Sequence, residues 1–237
     1  KLYIYITLLL LGIMLSMLAY TLAVFLQDFK YEYLYYALAM LGFIIYFFLR
    51  LLNNFVFGSS YFFFHDFRYQ VLQLGESTLA LLFVSSFLKL KTIAPGLHTH
   101  VRIITFAQLI FLIINLPLTY TNRYNYIGNI AFDAIRGIVV PYFVYLIFSL
   151  LKYKNDKEVR YIGMGSVIGI ITWGMALYID GRGDYKHHFL EHSSIAVVTF
   201  MVGIVLEMLF FMQALSYRKR SEEILRIRAV EKLQLEN

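Results

Sequence analysis

The sequence predicts an all-α fold: a polytopic membrane protein in which a seven-transmembrane helix bundle (1-215) runs on into a cytoplasmic helical extension (216-237). Three observations carry that prediction. Apolar residues make up 60% of the chain and charged residues 15%, with mean hydropathy +0.66, whereas a soluble domain carries about 25% charge. Seven apolar runs recur, each near the ~20 residues that cross a hydrocarbon core. Lys and Arg fall unequally on alternate ends of those runs, as the positive-inside rule requires of a spanning chain.

The first run, 2–26, lacks a small-residue cleavage site. It reads as a true span rather than a removable signal peptide, in a chain trimmed at both ends. The second is 34–52. The third, 71–88, carries a polar stripe: Gln70, Gln73, Glu76 and Ser77 stand three and four residues apart, on one helical face. The fourth, 103–120, holds Gln108. The fifth, 130–151, holds Asp133 and Arg136, and Pro141 at its middle is expected to kink it, with Gly137 adding give. In the sixth, 162–179, Gly165 and Gly169 form G-x-x-x-G, with Gly174 beyond. Close packing inside the bundle is the default role of such a motif, and dimerisation the alternative. The seventh, 195–215, passes into SYRKRSEEILRIRAVEKLQLEN with no Pro or Gly at the join. Every residue from Glu207 onward tolerates helix, so one continuous rod leaves the bilayer. Its apolar positions Ile224, Ile227, Val230 and Leu233 suggest helix pairing, although a strict heptad from Tyr217 places Arg220, Glu231 and Gln234 in the seam.

Orientation follows from charge. One set of ends carries fourteen Lys and Arg and the opposite set seven, which puts the C-terminus in the cytoplasm and the N-terminus outside, in a cytoplasmic membrane. The net charge of +6 is then a collar facing anionic lipid, and no nucleic acid is needed to explain it. The absence of Cys excludes disulfides and thiolate metal sites. Clustered aromatics, among them Tyr31, Tyr33, Tyr35 and Tyr36 at one end and Tyr61 through Phe64, Tyr120, Tyr124 and Tyr126 at the other, read as interfacial belts.

Ionisable residues inside the spans are the candidate site. Glu207 lies eight residues from the inner end of the last run, ~12 Å deep at 1.5 Å per residue. A carboxylate there must be protonated, paired or hydrated, and such residues default to function. Gln108 is at matching depth and is the expected hydrogen-bond partner. Glu76 and Arg136 each lie six residues from the outer end of their spans, with Asp133 one turn above Arg136. The expectation is that they face the interior and pair, directly or through water, with Gln73 on the same stripe. A static buried pair and an outward-open polar cavity are the two readings of that arrangement.

In the outer loop DGRGDYKHHFLEHSS, His188 and His192 stand four residues apart with Glu191 between them, and His65 lies in another loop on the same side. Two imidazoles and a carboxylate suit zinc, which motivates an alternative reading: an intramembrane zinc-dependent hydrolase of lipid amides. Against it, such chemistry needs its ligands inside the bundle. A retinal protein is excluded because the last span has no lysine for a Schiff base. Neither Asp-Arg-Tyr nor Asn-Pro-x-x-Tyr appears in the positions that mark eukaryotic receptors, and nothing indicates the inverted repeats of a transporter.

Two stretches carry a resemblance. YTLAVFLQDFKYEYLYYALAMLGF at the first exit and VGIVLEMLFFMQALSYRKR at the last resemble the bacterial seven-transmembrane receptors with diverse intracellular signalling modules, whose spans this chain follows in order. The resemblance implies an extracytoplasmic sensory domain before the first span. After the last it implies a cytoplasmic output such as a kinase, a cyclase or a DNA-binding domain, with Tyr217 and Arg218 at the signal exit. The apolar stripe of the extension is read as the seam of a homodimer joined through the cytoplasmic helix, and no cofactor and no reaction are expected in this part of the chain.

Overall fold

The computed structural model describes residues 2–52, 67–120, 125–150, 152, 156–181 and 189–236. Eight helices account for them: α1 (Leu2–Asp28), α2 (Tyr31–Leu52), α3 (Phe67–Phe87), α4 (Leu90–Ile93), α5 (Pro95–Tyr120), α6 (Asn125–Leu150), α7 (Lys157–Gly181) and α8 (Phe189–Glu236). Seven are long and one is a single turn, and no strand occurs among the described residues.

Six of the long helices are apolar enough to cross a membrane; α3 is not among them. Gln70, Gln73, Glu76 and Ser77 lower its hydropathy, yet α3 is sheathed by α2 and α5. A helix whose polar face meets protein rather than lipid can cross with fewer apolar residues. The fold is therefore the all-α polytopic bundle expected: six helices are apolar enough to cross on composition alone, and α3, read as the third span from its apolar run, carries a polar face against its neighbours.

Tight connections set the neighbour order. Phe29 adopts a left-handed backbone (φ 48°) and closes α1 by donating its N–H to the Phe25 carbonyl at 2.7 Å. Lys89 does the same service between α3 and α4 (φ 50°). Pro95 opens α5 at the first helical position, where its missing N–H costs nothing. Around the bundle the packing order is α1, α2, α3, α5, α6, α7, α8 and back to α1, a closed ring. α6 continues as helix through Pro141.

Rings from α2, α3 and α8 fill the middle. Tyr36 lies 5.1 Å from Phe83, Phe83 lies 5.4 Å from Phe211, and Phe47 lies 5.7 Å from Phe200. Tyr36 also donates its hydroxyl to the Met208 carbonyl at 2.6 Å. This corrects the belt reading for two tyrosines. Tyr33 and Tyr36 are each 3% exposed because they share the i, i+3 face that carries Ala37 and Met40 into the core. Tyr31, on the opposite face, remains exposed. Tyr61 through Phe64 and Tyr124 lie outside the described residues.

The last helix is continuous for 48 residues, about 72 Å at 1.5 Å per residue. From Glu223 to Glu236 every side chain is exposed, so this part projects from the bundle. That end is the exit end of the bundle.

Candidate functional site

Five helices of the ring enclose a cavity of ≈ 300 Å³. α2 contributes Tyr46 and Arg50, α3 Gln73 and Glu76, α6 Arg136, α7 Gly169 and Trp173, and α8 Glu207, over an otherwise apolar and aromatic wall. Four of the residues singled out in the sequence thus meet in one place: Gln73, Glu76, Arg136 and Glu207. The stripe on α3 is divided. Gln73 and Glu76 face the cavity, whereas Gln70 turns to α5 and accepts a hydrogen bond from Asn115.

Glu76 and Arg136 share the cavity without a direct ion pair. The Glu76 side chain, 6% exposed, lies over Gly42, where an added Cβ would come within 2.9 Å of its Cγ. Its Oε1 has no hydrogen-bond partner. Arg136 turns instead to Asp133 at 3.9 Å and stacks over the Phe132 ring at 5.5 Å. One turn of α6 satisfies it locally, which depth along the membrane could not foretell.

Gln108 is not the partner of Glu207. Its Oε1 accepts from Thr78 Oγ1 at 2.8 Å and its Nε2 donates to Ser77 Oγ at 2.7 Å, clamping α5 to α3. Glu207 packs across Gly169 of α7. Depth matched, but the ring order places α5 beside α3 and α8 beside α7. A Gln108→Leu variant is expected to lose about 1 kcal/mol of stability, the usual worth of interhelical hydrogen bonds in a membrane, measured as unfolding in micelles. An unchanged unfolding midpoint would show that the clamp contributes nothing.

A second constellation gathers at the exit end. Arg218 is 7% exposed, donates to the Phe87 carbonyl and lies 4.7 Å over the Phe87 ring. Carboxylates surround it from three helices: Glu32 of α2 at 3.8 Å, Glu158 of α7 at 4.0 Å and Glu222 of α8 at 3.6 Å. Glu222 also pairs with Lys30, and Lys219 reaches Gln27 at 3.0 Å and Asp28 at 3.8 Å. Tyr217 faces Tyr161 at 6.5 Å with Lys157 over its ring at 5.3 Å. α8 is thus fastened to α1, α2, α3 and α7 where it leaves the bundle. The exit arginine was legible in sequence, but its carboxylates were not singled out. The signal available was an acidic residue in the first turn of both α2 and α7, at the ends the charge count had already grouped with Arg218.

An aromatic column joins the two constellations. Phe87 under Arg218 stacks on Phe83 at 5.3 Å, and Phe83 meets Phe211, one helical turn from Glu207. His65 and His188 lie outside the described residues, as do the side chains of Glu191 and His192 at the start of α8. Among the described residues no group of three or more His, Asp or Glu side chains gathers as metal ligands do.

A ring of seven long helices with an ionisable interior and a charged clasp on its last helix defines a polytopic membrane bundle. The family model described as 7TM diverse intracellular signalling matches residues 3–218, and the chain belongs to that family. No curated protein and no solved structure gives a match.

Proposed function

We propose that this chain is the transmembrane module of a bacterial sensory receptor, passing an extracytoplasmic signal through α8 to a cytoplasmic output domain of the same polypeptide. That output is a kinase, a cyclase or a DNA-binding domain. The clasp around Arg218 carries the reading. α8 lines the cavity, crosses the ring and projects beyond it, so a rotation or shift of α8 must draw Arg218 away from carboxylates on two other helices. Interfaces of this kind have discrete arrangements rather than continuous ones, and a ligand that contacts two arrangements differently shifts their populations.

In this reading the exit end is cytoplasmic and the N-terminus lies outside, in the bacterial inner membrane. The two-to-one excess of Lys and Arg on the exit side supports that orientation. The exposed stripe Ile224, Ile227, Val230 and Leu233 supports a homodimer paired through the extension. Membrane lipid and the second copy are the partners, and the module itself catalyses no reaction and takes no nucleic acid.

The 237 residues contain no cysteine, so thiols introduced here have no native competitor within the membrane module. Asp28→Cys with Lys219→Cys in the full-length receptor, bridged by a short rigid bis-maleimide, ties α8 to the end of α1. Output is expected to freeze at one level whatever the stimulus, while either single variant still responds. A bridged receptor that responds normally would sink the proposal that α8 moves against the ring.

A further inference from the structure

The cavity within the helix ring is chemically lopsided. Its two guanidinium groups are engaged: Arg136 by Asp133 and the Phe132 ring, and Arg50 by the Tyr46 hydroxyl at 3.4 Å. Its two carboxylates are not. Neither Glu76 nor Glu207 makes a hydrogen bond or ion pair among the described residues, and the Glu76 Oε1 is fully enclosed. Both stand eleven residues before the contact that joins Arg218 to Phe87, on helices running the same way. At 1.5 Å per residue that puts them at about the same depth, ~16 Å from the exit end. Glycine faces each: Gly42 opposite Glu76 and Gly169 opposite Glu207. An ionised carboxylate inside a membrane bundle requires a compensating positive group or donor, and the described residues supply none at either position.

We propose that this cavity is a binding site for a small amphipathic amine, its ammonium group held by Glu76 and Glu207 and its apolar body lying against the aromatic wall. Size and lining select this class over an inorganic ion. The volume of ≈ 300 Å³ is that of a pocket for an organic molecule. A hard cation needs six or more oxygen ligands, and the wall is chiefly apolar. Phe43, Phe83, Phe143, Trp173 and Phe200 line it, and aromatic faces attract ammonium groups while also packing a hydrocarbon body. The site lies inside the bundle, apart from any extracytoplasmic domain, and does not depend on how α8 signals.

The test uses the chain in nanodiscs of neutral phosphatidylcholine, with phenylbutylamine as probe and phenylbutanol and phenylbutyrate as its neutral and anionic counterparts. Trp173 is the single tryptophan and lines the cavity, so its emission reports occupancy directly. The amine is expected to shift that emission saturably, one molecule per chain, and the alcohol and acid to leave it unchanged. Glu76→Gln and Glu207→Gln keep shape and are each expected to weaken the amine at least about tenfold, a loss of about 1.4 kcal/mol. Absence of saturable amine binding to the unsubstituted protein overturns the proposal without recourse to any variant. So does undiminished binding in both Gln variants. Preference for the acid would hand the site to Arg50 and Arg136 and overturn it, as would a saturable response to sodium or calcium with none to the amine.

Discussion

Arg218→Ala is expected to destabilise the bundle by about 3 kcal/mol, the scale of breaking a buried charge cluster from one side. The thermal midpoint should fall by roughly 6–12 °C for a chain of this size. The direction follows from what remains. Removing the guanidinium leaves Glu32 and Glu158, whose side chains are 16% and 19% exposed, without the cation they share. Glu222 adds little to the loss, because its side chain is 41% exposed and Lys30 still reaches it. The Phe87 carbonyl loses its side-chain donor and the Phe87 ring its cation. Arg218→Lys should recover part of the loss, since it restores charge but neither the planar fork nor the stacking. Arg218→Met separates charge from packing: it refills the space over Phe87 and should remain close to the alanine variant. A methionine variant as stable as the native protein would mean that the clasp is a packing site and the carboxylates are bystanders.

How much of this was legible in the sequence depends on which coordinate a residue needed. Depth was readable. The continuous helix through Glu207 and Arg218, the interior position of Glu76 and the grouping of Lys30, Lys157 and Arg218 on one end all followed from spacing and charge. Azimuth was not. Gln108 and Glu207 lie on opposite arcs of the ring, and nothing local reveals that α5 packs against α3 while α8 packs against α7. Tyr33 and Tyr36 failed for a related reason. Near a helix end an aromatic residue suits either an interface or a core, and for Tyr36 the choice is made by Phe83 and Phe211, which belong to distant segments. Arg136 shows the reverse error, since its partner was the nearby Asp133 and the long-range one was not needed. The resemblance at the two chain exits was more informative than the middle spans because those exits contain charged residues with fixed tasks. Spans facing lipid are constrained mainly to be apolar, so their sequences say little beyond their length.

The glycines of α7 give the second large expected effect, and they can be played against one another on a single helix. Gly165→Ala would place a Cβ 3.0 Å from the Phe210 Cβ and 3.1 Å from the Glu207 carbonyl oxygen. Neither atom is the free end of a flexible side chain, so α7 and α8 must part. Gly203→Ala, from the α8 side, would meet the Thr172 side chain. That side chain is held by its hydroxyl on the Ile168 carbonyl at 2.8 Å and on the Gly169 carbonyl at 3.1 Å. Alanine is the better helix former by ~1 kcal/mol, whereas overpacking a close contact costs typically 1–3 kcal/mol. With backbone and a Cβ receiving the contact at Gly165, and a hydrogen-bonded β-branched side chain receiving it at Gly203, the clash wins, and each variant should lose about 1–2 kcal/mol. At Gly174 an added Cβ meets nothing, so Gly174→Ala retains the propensity gain and should be neutral or stabilising. Thermal unfolding of the three variants side by side decides the matter. Equal behaviour at Gly165, Gly203 and Gly174 would mean that the α7–α8 contact is not close-packed. The predicted order would also bear on function, because parting these helices moves Glu207 away from Gly169 and pulls on Arg218 eleven residues further along the same rod.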